Sequence, residues 1–149
     1  MQTDKRWDGM LELPIVLAGA MGAGGVILAA VSAHLPQGAG LESAAYMLLF
    51  HAAAILGVAA ILRQGLLWRP LAGLALAAWI LGGALFSGDL TLRALAGHRL
   101  FPMAAPSGGT LLIAGWVLRR SPPGVRSDLE PPRVYGFSER PVRPDGGAP

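Results

Sequence analysis

The chain has 149 residues, of which 53% are hydrophobic and only 14% charged, with a formal charge of +3 and no cysteine. Soluble domains carry roughly 25% charged residues, so this composition points away from a soluble fold. The missing cysteines exclude disulfides, thiolate catalysis and cysteine-based zinc or iron–sulfur sites. No Asp, Glu, Lys or Arg falls within 14–41, 43–62, 70–88 or 100–118. These stretches are apolar all round, unlike the one-sided helices of soluble proteins. About 20 apolar residues rising 1.5 Å each cross the roughly 30 Å hydrocarbon core. The expected fold is therefore all-α, a four-helix transmembrane bundle.

In chain order, residues 1–12 read as a short charged cytoplasmic arm carrying Lys5, Arg6 and Trp7. The first span covers 14–33, with Pro14 in its first turn, where a missing N–H costs nothing. A basic pair, an apolar run and Val31-Ser32-Ala33 also outline a signal peptide. The run is longer than such regions usually are, so the segment is read as a retained helix. Pro36, Gly38 and Gly40 mark a loop. The second span covers 43–62, with Ser43 as its N-cap. A short link leads to the third span, 71–90, and residues 91–102 read as an interfacial turn. The fourth span covers 103–118 and stops at Arg119-Arg120. The tail, 121–149, rich in Pro and Arg, reads as disordered and cytoplasmic.

Basic residues in the flanks set the orientation. The arm, the second loop and the tail hold ten Lys and Arg; the first and third loops hold Arg93 and Arg99 alone. Both termini are therefore expected inside. Trp7, Trp68 and Trp116 then fall at the cytoplasmic interface, where aromatic belts form. A composition rich in Arg, Ala and Gly suggests a bacterial source, so the expected location is a bacterial inner membrane.

Helix 1 contains Gly19-Ala20-Met21-Gly22-Ala23-Gly24-Gly25. A phosphate-binding loop would lie between a strand and a helix, which this run does not. Ala18, Gly22, Gly25 and Ala29 instead form a helical stripe suited to close helix packing. His51 lies roughly 12 Å inside the second span. Polar groups at such depth face the bundle or a water-filled cavity. His34, Ser87, Asp89 and Ser107 fall in the same outer half, together with Thr110. His34, His51, Ser87, Asp89 and Ser107 thus form a candidate polar pocket. The bland alternative is a set of structural hydrogen bonds, with Asp89 paired to Arg93 at i,i+4 spacing. Two histidines at unequal depth do not suit haem, and no His-x-x-x-His pair suits a metal. No cofactor and no metal are expected.

The residues at the helix ends resemble the YgdD-like family of small inner-membrane proteins, a domain of unknown function of the DUF423 type. Ser32-Ala33-His34 resembles that family's Gly-Ala-His, and Phe50-His51-Ala52 its Tyr-His-Ala. Phe86-Ser87-Gly88 resembles its Phe-Ser-Gly. Ala105-Pro106-Ser107-Gly108-Gly109 and Gly115-Trp116 resemble its Thr-Pro-x-Gly-Gly and Gly-Trp. Leu48 stands where the family usually has Gln, and Asp89 where it usually has Ser. The resemblance implies a four-helix inner-membrane protein and no reaction.

The leading functional expectation is a non-enzymatic structural subunit that binds lipid, another membrane protein or itself, and no nucleic acid. The alternative is a small-solute or proton transporter using the outer polar pocket. An enzyme is the weakest reading, since only Asp89 with His34 or His51 offers an acid–base set.

Overall fold

A computed structural model describes residues 3–35 and 38–119. The expected tail at 121–149 lies outside the described residues. Four helices follow one another: α1 (Thr3–Ser32), α2 (Gly38–Arg63), α3 (Arg69–Ala96) and α4 (Ala104–Leu118). There is no strand among the described residues. In hydrocarbon every backbone N–H and C=O must be paired within the segment, and a helix does this without a partner. The first three helices contain apolar windows long enough to cross a membrane, at Leu11–Ser32, Gly40–Arg63 and Arg69–Ala96. The fourth, at 15 residues, rises only about 22 Å.

The helices start and stop differently from the sequence expectations, for local reasons. Helix α1 begins at Thr3 and carries Pro14 inside it, so the expected arm at 1–12 is mostly helical. Proline frees one carbonyl four residues back, here on a segment still outside the long apolar run. Gly38 and Gly40 do not break α2 but form its first turn, and Ser43 lies within the helix instead of capping it. First-turn N–H groups have no intrahelical partner in any sequence, so weak helix formers are tolerated there. Helix α3 runs past Leu90 into the first half of the expected interfacial turn, to Ala96, and is capped by Gly97, whose φ of 74° is left-handed. Glycine adopts this C-terminal conformation without a steric penalty. In α4, Pro106 occupies the first turn, and Met103 before it takes a left-handed φ of 74°.

Helix α1 packs on α2, α2 on α3 and α3 on α4, with a lighter contact between α1 and α3. The backbones of α2 and α4 do not meet. Glycine sets the tightest approaches. A Cβ on Gly108 would lie 2.6 Å from the Phe86 nitrogen and 2.8 Å from the Gly82 oxygen. A Cβ on Gly25 would lie 2.7 Å from Leu49 Cγ and 3.1 Å from the Ala45 oxygen. On the same face of α1, Ala18 is buried, Gly22 comes close to Ala52, and Ala29 is half-buried. Lipid tails are as apolar as the side chains, so close packing and hydrogen bonding hold such helices together.

Candidate functional site

His51 of α2, Trp79 of α3 and Trp116 of α4 form a cluster of three rings, the first two buried and Trp116 exposed. Because α2 begins at Gly38, His51 lies about 20 Å along it, close to its midpoint and deeper than the sequence implied. The side chain is buried. Its Nδ1 lies 2.8 Å from the carbonyl of Met47. A carbonyl only accepts, so Nδ1 carries the proton and donates. Nε2 then has a free lone pair, and it accepts the Nε1–H of Trp116 at 3.3 Å. The imidazole is thus the neutral Nδ1–H tautomer, with both nitrogens engaged.

Trp79 completes the cluster. It is fully buried and donates its Nε1–H to the Leu112 carbonyl on α4 at 3.2 Å. Its ring centre lies 4.9 Å from that of Trp116 and 6.1 Å from that of His51. Gly115 makes room for it, since a Cβ there would come within 2.5 Å of the Trp79 indole. The Gly115-Trp116 pair therefore has two jobs: the glycine admits one indole and the tryptophan supplies the other. Trp116 is not simply an interfacial anchor. A helical side chain leans toward the helix N-terminus, which carries this indole away from the nearby helix end to the level of His51. The Arg119 guanidinium, at the end of α4, sits 5.1 Å from its ring centre. The sequence reasoning missed Trp79. One signal marks it: of the four tryptophans, it alone lies far from every helix end.

The other polar residues have separate partners. Ser87 is buried and donates its Oγ–H to the Ala44 carbonyl at 3.0 Å, tying α3 to α2. Ala44 lies seven residues before His51, about 10 Å away along the helix. Asp89 is fully buried. Its Oδ2 pairs with Arg93 one turn on, and its Oδ1 accepts the backbone N–H of Leu100 at 2.9 Å. That second bond folds the α3–α4 connection back onto α3. His34 is exposed just beyond α1, and Ser107 is exposed in the first turn of α4. Thr110 bonds only the Pro106 carbonyl of its own helix. Among the described residues, no hydrogen bond joins any two of His34, His51, Ser87, Asp89 and Ser107, and no three His, Cys, Asp or Glu side chains cluster as metal ligands.

Leu48 and Asp89, the two departures from the resembled pattern, each have a physical role. Leu48 lies 3.7 Å from the Cβ position of Gly24 on α1 and 3.9 Å from that of Gly83 on α3. An apolar side chain fills this gap between helices. Asp89 supplies a second acceptor oxygen, which is how it holds Arg93 and the Leu100 N–H together.

A model of the family described as a protein of unknown function, DUF423, matches residues 18–109. The chain belongs to this family. The match includes His51, Trp79, Ser87 and Asp89 and stops before Trp116. The chain is 40% identical over 70 residues to the UPF0382 inner membrane protein YgdD of Escherichia coli K12, covering 46% of this chain and 51% of that protein. It is 35% identical over 69 residues to a UPF0382 membrane protein of Haemophilus influenzae, covering 46% and 53%. The chain thus spans about half the length of the curated relatives it matches. No solved structure matches it. Family membership and the apolar helices make it an integral membrane protein of inner-membrane type.

Proposed function

We propose that this protein is a non-enzymatic membrane subunit that acts by binding lipid or another membrane protein. The observation that carries this reading is that the three buried polar side chains, His51, Ser87 and Asp89, all have hydrogen-bond partners within the chain. His51 uses both ring nitrogens within the chain. Ser87 donates to Ala44, and both Asp89 oxygens are engaged. A transport or acid–base site needs groups that can exchange partners with a solute or a proton, and these have partners already.

In this reading the chain crosses the inner membrane four times with both termini inside. The uneven basic flanks support the orientation. The fourth crossing combines the short α4 with the apolar Leu100, Phe101 and Met103 that precede it, giving an uncharged run of 19 residues from 100 to 118. The test is native mass spectrometry of the protein released gently from its own membrane. A lipid or protein retained at fixed stoichiometry is the expected result. A bare chain, combined with solute or proton flux in proteoliposomes that His51→Leu abolishes, would replace this reading with transport.

A further inference from the structure

A cleft of about 440 Å³ opens between α3, the α3–α4 connection and the start of α4. This is within the roughly 300–1,000 Å³ usual for ligand pockets. None of the five residues expected to form a polar pocket lines it. Its walls are Phe86 and Arg93 from α3, Arg99 and Met103 from the connection, and Ala105, Pro106 and Gly109 from α4.

The lining is polarised along the helices. Phe86 and Gly109 are neighbours at the deeper end, with the Gly109 Cβ position 3.9 Å from Phe86 Cδ2. Arg93 lies seven residues beyond Phe86 on the same helix, so about 10 Å nearer the connection. Arg99 lies in the connection itself. The cleft therefore runs from an apolar end inside the span to a basic end at its edge. Asp89 offsets only one of the two charges, because Oδ2 binds Arg93 and Oδ1 is taken by the Leu100 N–H. Arg99 has no ion pair among the described residues. Arg93 gives one hydrogen bond from its five N–H donors, and its Nε is buried with no partner.

An apolar slot closed at the membrane surface by an excess of arginine is complementary to one kind of occupant. We propose that this cleft binds an anionic phospholipid, with the phosphate against Arg99 and Arg93 and an acyl chain along Phe86 and Gly109. Arginine suits phosphate because its fork of donors matches paired oxygens. This inference deepens the lipid-binding side of the proposed function and rests on it.

The test offers the delipidated full-length chain, in detergent micelles, equal amounts of phosphatidylglycerol and phosphatidylcholine with identical acyl chains. Retained lipid is counted by native mass spectrometry. Phosphatidylglycerol should be kept about fivefold over phosphatidylcholine, the effect of one basic residue near a surface. Arg99→Gln should bring the two lipids level, and Arg99→Lys should keep the preference. Arg99 is exposed on the connection, so neither change disturbs the core. Gly109→Leu, which fills the apolar end, should lower retention of both lipids. Excess inorganic phosphate should leave bound phosphatidylglycerol in place. Equal retention by the unaltered chain, an undiminished preference in Arg99→Gln, or displacement by phosphate would overturn the proposal, the last making a free anion the occupant. A protein partner retained by a chain with no lipid preference defeats the cleft alone. A bare chain with flux that depends on His51 defeats the reading beneath it.

Discussion

Gly108 and Gly109 are adjacent in α4, yet alanine should affect them in opposite directions. At Gly108 the new methyl would meet the Phe86 nitrogen at 2.6 Å, the Gly82 oxygen at 2.8 Å and Phe86 Cα at 3.0 Å. All three are backbone atoms, so no side chain can rotate away and α3 and α4 must separate. Overpacking of this kind costs about 1–3 kcal/mol, and a rigid neighbour places it at the upper end. At Gly109 the methyl would find only Phe86 Cδ2 at 3.9 Å, an ordinary contact. Both substitutions gain the helix propensity of alanine, up to about 1 kcal/mol. That gain cancels in the comparison, leaving Gly108→Ala about 3 kcal/mol less stable than Gly109→Ala. This is roughly a hundredfold in the folding equilibrium. Reversible unfolding in mixed micelles, followed by tryptophan fluorescence, measures the difference. Equal stability of the two variants would refute the glycine contact between α3 and α4.

The His51–Trp116 hydrogen bond should show a coupling of about 0.6 kcal/mol, and at most about 1.7, in a double-mutant cycle of His51→Leu and Trp116→Phe; additive losses would mean the two rings do not interact. Asp89→Ala should destabilise by about 1–3 kcal/mol, because it leaves the Leu100 N–H and Arg93 without their acceptor. Asp89→Asn should lose less, since an amide oxygen can still accept from Leu100; thermal unfolding of the two variants gives the order. The chain has no native cysteine, so single cysteines at the exposed Gln64 and His98 report orientation directly. A membrane-impermeant thiol reagent applied to intact cells should label His98→Cys and spare Gln64→Cys.

The helices were legible in the sequence because hydrocarbon imposes a one-dimensional rule: a long uncharged run must be helical and must span. Their ends were less legible. Gly38, Gly40 and Ser43 read as breakers and a cap, but α2 takes all three into its first turns. A first turn has no backbone bonds for them to spoil, and composition does not reveal which turn is first. The polar residues of interest could also be picked out, since a histidine or aspartate among apolar neighbours is conspicuous. Their partners could not. Whether Ser87 faces the Ala44 carbonyl or a cavity depends on how α3 is rotated against α2, and a helix with no amphipathic face does not specify its own rotation. Trp116 shows the same limit. Its place near a helix end suggested the interface, and its ring is exposed, yet the lean of its side chain also brings Nε1 to His51.

These contacts explain why a chain so poor in polar residues has the few it does. Within each hairpin the helices are held by close packing: Gly25 against Leu49 joins α1 to α2, and Gly82 with Gly108 joins α3 to α4. Between the hairpins, polar side chains add to the packing of α2 on α3. Ser87 crosses from α3 to a carbonyl of α2, and His51 reaches the indole of Trp116 on α4, a helix whose backbone α2 does not touch. Close packing rewards any pair of smooth faces, so small residues alone would let one hairpin slide along the other. A hydrogen bond in hydrocarbon is satisfied at one register only, and each slip would leave a donor unpaired at a cost. The bonds at His51 and at the Ala44 carbonyl, about 10 Å apart along α2, fix that register at two heights. Their chemistry is used in aligning the two hairpins. The Arg93–Arg99 cleft is lined by neither His51 nor Ser87, so a ligand there need break neither bond.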